Sequence, residues 1–231
     1  MLIWHENKDD VQGENITSFV GGKPLLPSDF GVPKFARTGE DMTFFFQIET
    51  PIGSSWEGDI VSVFSTTTYA DDDTFLPKLP DDLQNTELNT EFFDSYQTFF
   101  RVFVFKKSAL VLSNDYREVV AFRKLNFSET VPSRGILFGE ANNTPNWIAE
   151  DEAPRKFNGS KSGISFLFQT KRDYEFGVVS GAPKQKEKNF EVEGGVTDKI
   201  GDGYSLFVEN ELYFFGLSER DRRYIYIVPQ S

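Results

Sequence analysis

A chain of 231 residues with 39% hydrophobic residues and 25 phenylalanines is long enough to bury a sizeable core and too apolar to be disordered. Its 24 basic and 36 acidic residues leave a net charge of −12, which weighs against nucleic acid and anionic lipid as partners, because basic groups hold both. No cysteine is present, and His5 stands alone, so disulfides, thiolate nucleophiles, Cys-based zinc sites and His-centred triads are excluded.

The N-terminal segment carries Leu2, Ile3 and Trp4 before charge begins, too short a run for a signal peptide. No apolar run reaches the length of a membrane span. The sequence reads as cytoplasmic, with His5 as a frayed or surface residue. Strand signals then dominate. Runs rich in β-branched and aromatic residues, bounded by Gly, Pro, Asn or Asp, predict strands over 43–48, 60–65, 99–105, 108–112 and 119–122. Further runs predict strands over 164–168, 204–208, 211–215 and 224–228. Both faces of TFFFQI are apolar, which predicts a strand covered on both sides. Glu209, Asn210 and Glu211 separate two apolar runs and predict a tight hairpin. One helix is expected over 81–98, behind Pro80, with Leu83, Leu88, Phe92 and Tyr96 at helical spacing. A short turn is expected at SERDRR, capped by Ser218. Segments 141–163 and 180–203 read as linkers.

The octapeptide MTFFFQIE at 42–49 returns as ISFLFQTK at 164–171. FFFQ at 44–47 is followed by GDIVSVF at 58–64, and FLFQ at 166–169 by GDGYSLF at 201–207. A proline-flanked aromatic precedes each strand, in LPSDFGVP at 26–33 and TPNWIAEDEAP at 144–154. This order predicts a duplication, with an insertion in the second copy. Gln47 and Gln169 would each bond the backbone of a turn with their amides.

GGKPLLPSDF with MTFFFQIE, then TPNWIAED, ISFLFQTK, GDGYSLFVENELYFFGL and RRYIYIVPQS, resemble in that order the motifs of the YwqG-like family, a bacterial domain family of unknown function. The resemblance spans most of 20–231. It implies one domain over 1–231 with an α+β fold of mostly antiparallel or mixed sheet. The domain would have few helices and two related halves, approximately 20–135 and 136–231. The family offers no catalytic residues to transfer. Ile200 replaces a tryptophan frequent before Gly-Asp, and the cysteines of other members are missing.

No catalytic constellation emerges from the residues. GGK at 21–23 is followed by Pro24 and is no phosphate loop, and GSKSG at 159–163 has Lys161 where a nucleophile elbow needs serine. The acidic run Asp71, Asp72, Asp73 lacks the alternating oxygens and glycine of a calcium loop. Asp59 and Asp202, each after a glycine, read as turn residues that bond nearby backbone. No metal or cofactor is expected. Trp56 and Trp147 lie in loop-like segments beside acids, where tryptophan either anchors an interface or covers the core. The sequence therefore points to a non-catalytic binding protein, of the immunity type that masks a basic toxin or another basic protein. Its candidate contact residues are Asp71, Asp72, Asp73, Trp147, Glu150, Asp151 and Glu152. Two alternatives stand beside it: a small-molecule or glycan-binding module with a cleft between the halves, and a carboxylate-dependent hydrolase.

Overall fold

A computed structural model describes residues 2–7, 11–51, 54–80, 87–130, 135–161, 163–189, 195–208, 210–219 and 222–231. The chain begins with β1 (Leu2–Asn7), β2 (Phe19–Val20), β3 (Leu25–Pro27), β4 (Thr43–Glu49) and β5 (Asp59–Ser65). The helix α1 (Thr90–Tyr96) follows, then β6 (Phe100–Lys106), a 3-10 turn (Lys107–Ala109), β7 (Leu110–Leu112) and β8 (Arg123–Ser128). Next come β9 (Leu137–Ala141), β10 (Ile164–Thr170), β11 (Phe176–Gly177), β12 (Lys186–Asn189) and β13 (Gly195–Asp198). The last are β14 (Gly203–Tyr204), β15 (Glu211–Glu219) and β16 (Arg222–Gln230).

This corrects the expected α+β class: 43% of the described residues are strand and 4% helix. The helix foreseen over 81–98 is one element of 7 residues, and its expected first residues, 81–86, lie outside those described. Leu88 is instead bridged to Phe157, and Asn89 caps the helix by accepting from Phe92 N–H at 2.9 Å. A sequence this rich in phenylalanine and β-branched residues, alternating over short runs, satisfies its backbone in ladders. Among the described residues, no helix is long and apolar enough to cross a membrane.

Ten strands make one antiparallel sheet in the order β16-β15-β10-β9-β1-β8-β2-β4-β5-β6. It curls into a nearly closed barrel. Read from its two edges the order is symmetric. β6-β5-β4 at one end mirrors β16-β15-β10 at the other. The register agrees in detail: β4 slips against β5 between Phe44 and Phe46, and β10 slips against β15 between Phe166 and Phe168. Such a bulge bends and twists both meanders at the same residue. Gln47 faces Ser62 and Gln169 faces Tyr213, so 60–65 corresponds to 211–216. The expected counterpart, 204–208, is not a ladder strand beyond Tyr204; Phe207 and Val208 take φ of 53° and 61°. Glu209 of the expected hairpin lies outside the described residues. At the SERDRR turn Ser218 is ladder, paired with Arg223. Segment 119–122 contributes only a bridge from Val120 to Val178, while the expected linker 180–203 contains β12 and β13.

The barrel interior is filled by rings. Phe46 packs on Phe138, Phe168 and Phe214 at 5.1, 6.3 and 5.8 Å, all four fully buried. Edge-on packing of this kind adds about 0.5–1.5 kcal/mol per pair beyond area burial. β1, expected to fray, is a central strand between β8 and β9; Trp4 is buried and His5 half-buried in it. Side chains close the seam between the two edge strands. Asp59, buried on β5, pairs with Lys106 of β6 and with Arg223 of β16. Arg223 lies over the Trp56 ring at 4.8 Å, and that ring occupies the space a side chain at Gly216 would need, within 2.5 Å.

Candidate functional site: the Trp147 face

Each repeated glutamine ends its aromatic strand facing the residue after a proline. Gln47 Oε1 accepts from Leu25 N–H at 3.3 Å and from the Ser62 hydroxyl at 3.1 Å. Gln169 Oε1 accepts from Asn146 N–H at 2.8 Å, while its Nε2 donates to Asn146 C=O at 3.3 Å and to Glu211. Pro24-Leu25-Leu26 and Pro145-Asn146-Trp147 are therefore each held at the N–H of the residue after the proline, on the outer faces of their meanders. Gln169 also uses its Nε2, whereas the buried Gln47 Nε2 has no hydrogen-bond partner among the described residues. A neutral amide is buried in such a turn at lower desolvation cost than a carboxylate would be.

What covers the two segments differs. β3 pairs with β7, and Leu25 and Leu26 are each only 1% exposed. No ladder forms along 146–148. Asn146 is exposed, Trp147 half-buried, and Ile148 46% exposed. Trp147 lies on the Tyr213 ring at 4.3 Å and on Phe215 at 5.9 Å. The Tyr213 hydroxyl accepts from Ile148 N–H at 3.0 Å and donates to Asn146 C=O at 3.1 Å. Burial pushes that phenol up to about 12; the Ile148 bond opposes the rise, and Glu211, Glu140 and Glu152 add to it.

The acids beyond Trp147 are fixed from β16. Gln230 Oε1 accepts from Ala149 N–H at 3.2 Å, and its Nε2 donates to Glu150 C=O and Glu152 Oε2 at 2.7 and 2.8 Å. Asp151 pairs with Arg155 at 3.1 Å. Among the described residues the Glu150 carboxylate has no partner. The other acidic candidates are already engaged: Arg37 bridges Asp71 and Asp73, and Lys188 pairs with Asp72. Asp202 is exposed beside Lys184 at 3.3 Å, unlike buried Asp59. Trp56 is a buried seam residue.

Two other places bear on the alternatives. An open trough of about 450 Å³ lies between the halves, lined by Pro51, Ser54, Ser55, Asn142, Ser165 and Phe166. Phe166 is the one aromatic in its described lining. Near a recess of about 300 Å³ that Lys171 lines, buried Glu140 and Glu211 both bond Lys171, at 2.9 and 3.2 Å. Burial opposes the Lys171 charge, but the two glutamates outweigh it and hold its pKa above that of an ordinary lysine. Among the described residues no cluster of acids or histidine is arranged to hold a metal. Ile148, Tyr213 and Gln230 were not singled out by sequence reasoning. The one signal for them was the Pro-Gln pair at 229–230, which parallels the proline and glutamine of the repeat. No protein-family model and no curated protein matches this chain.

Proposed function

We propose that this is a cytoplasmic, non-catalytic binding protein of the immunity type, which masks a basic protein partner through the Trp147 face. The YwqG-like resemblance and the duplication belong to the same proposal. The matched glutamine anchors and bulges of the two halves support them. The observation that carries the function is the uncovered strip Trp147-Ile148, seated on Tyr213 and Phe215 and followed by the acids 150–152. An aromatic anchor on a rigid sheet with an acidic rim suits a basic surface with an apolar centre. The rim speeds encounter and the anchor slows release. Asp71–Asp73 contribute less, because Arg37 and Lys188 offset their charge.

Surface plasmon resonance against the protein captured from native lysate tests this reading. A basic partner is expected, whose association slows as salt rises, since screening acts beyond about 8 Å at physiological ionic strength. Glu150→Lys should slow association, and Trp147→Ala should speed dissociation. A neutral or acidic partner, or an on-rate indifferent to salt, overturns the proposal.

A further inference from the structure

The two meanders carry matched outer segments, and only the first has a strand lying along it. Ser113 N–H donates to Pro24 C=O at 2.9 Å, and Leu26 stands opposite Val111. In an antiparallel ladder, bonded pairs recur every second residue, so Leu26 N–H and C=O point at β7. In the second half Asn146 N–H and C=O and Ile148 N–H all turn inward, to Gln169 and Tyr213. Trp147 N–H and C=O therefore turn outward. Among the described residues neither has a hydrogen-bond partner. An open main-chain pair of this kind is a template for another chain, here over the one residue Trp147, since the chain bends from Ile148 and Ala149 N–H is taken by Gln230.

We propose that the edge at Trp147 takes an extended segment of the protein partner, which pairs antiparallel to 146–148 in the place that β7 takes beside β3. This rests on the binding reading above and specifies the partner's chemistry. β7 shows what fits: Leu110 and Leu112 turn partly inward, Val111 is 44% exposed, and Lys106 and Lys107 precede them. In an antiparallel occupant, the residues ahead of an apolar-x-apolar triplet run beside 149–152, where Glu150 is unpaired. Basic residues at those positions meet opposite charge. The segment recognised is thus two basic residues, a short spacer, then alternating apolar residues, held by main-chain bonds with pockets for alternate side chains. Its side chains would cover Trp147 and Ile148 as β7 covers Leu26.

The chain's own β7 sequence supplies the probe, a synthetic peptide KKSALVLS (residues 106–113). It is titrated into the isotope-labelled full-length protein, with amide shifts and hydrogen exchange read by NMR. Shifts at 146–149, with at least tenfold slower exchange of the Trp147 amide, are expected. N-methylation at the valine of the peptide, which blocks the main-chain bonds, should abolish them. Glu150→Lys should weaken binding of the lysine peptide and leave a peptide with serine at both lysines unaffected. Absence of shifts at 146–149, shifts at 25–27 instead, or equal binding of the N-methylated peptide would each overturn the proposal. A Trp147 amide already protected in a dimer of the protein alone would also overturn it, by making a second copy the occupant. If the serine peptide binds as well as the lysine peptide, the strand pairing stands and the basic-partner reading falls. If a basic partner binds without protecting the Trp147 amide, the binding reading stands and the strand pairing falls.

Discussion

Val102 and Ile227, at matching positions on the two edge strands of the sheet, give their outward N–H groups to adjacent side chains of one dipeptide. Val102 N–H donates to Gln97 Oε1 at 2.7 Å, and Ile227 N–H to the Tyr96 hydroxyl at 2.9 Å. The same hydroxyl donates to Ile227 C=O at 2.9 Å. The end of α1 thus fills the seam where a ladder would otherwise have to close, and it answers main-chain groups on both sides.

Tyr96→Phe removes one atom and leaves both polar groups of Ile227 without that partner. Leaving a buried main-chain group unsatisfied costs about 1–3 kcal/mol, so a loss of about 2 kcal/mol is expected in urea unfolding. Hydrogen exchange should quicken at Ile227 and not at Phe46. An unchanged midpoint would mean that water reaches the seam and replaces the hydroxyl.

The other end of the seam is ionic. Asp59→Asn should cost about 1–3 kcal/mol, because the buried carboxylate that Lys106 and Arg223 both hold is lost, while the two cations, open to water on one side, are not left as buried charges. Pairing it with Arg223→Met should recover part of that loss, since an apolar side chain can still cover Trp56. Chemical unfolding of the two single variants and the double variant measures the coupling. Additive losses would show that the pair does not join the edges.

Strands were legible where alternation and punctuation agreed, as over 43–48, 164–168 and 211–215. The repeated glutamine was legible as a turn anchor because a buried amide has few other uses. Three things were hidden. β1 is brief and mixed in polarity, so LIWHEN did not advertise a central strand; its place is set by pairing on both edges. GDGYSLF copies the composition of GDIVSVF, so 204–208 reads as the counterpart of 60–65, yet Phe207 and Val208 leave the β region and the counterpart is 211–216. The Trp147 face was half visible: tryptophan beside acids was a signal, but the missing cover depends on β7 lying alongside β3, a long-range pairing that local pattern does not encode.

Alkaline pH should unfold the protein. Burial, the largest cause in each case, raises the phenols of Tyr96, Tyr116, Tyr174 and Tyr226. Tyr116 moves from 10.0 to about 12, equivalent to roughly 3 kcal/mol. A raised folded-state pKa means that the folded chain keeps its proton longer. The stability is therefore fully present below the unfolded value near 10 and is lost as pH rises toward about 12. Lys171, also raised, acts in the same direction. Thermal melts across this range, with tyrosinate absorbance followed in parallel, should show Tm falling as phenols ionise only on unfolding. Phenols that titrate near 10 in the folded protein would contradict the burial of these rings.

Phe46 and Phe166 belong to the same repeated string but should differ sharply on truncation. The sequence predicts burial for Phe44, Phe46, Phe166 and Phe168; three are fully buried, while Phe166 is only half-buried. Phe46 sits at the centre of the ring cluster, so Phe46→Ala should cost about 3–5 kcal/mol through a cavity its neighbours cannot fill. Phe166 lines the open trough and touches Phe215 at 5.5 Å, so Phe166→Ala should cost about half of the 1.5–3 kcal/mol of full burial. Its counterpart Phe44 is covered by Phe19, Phe64 and Tyr116, and Phe44 N–H donates to the Tyr116 hydroxyl at 2.8 Å. That cover comes partly from the chain that follows β7. The difference between Phe44→Ala and Phe166→Ala in urea unfolding thus measures what the β7 region contributes to the first half. Equal losses at the two positions would mean that Phe166 is covered as fully as Phe44 and that the trough beside it is not open.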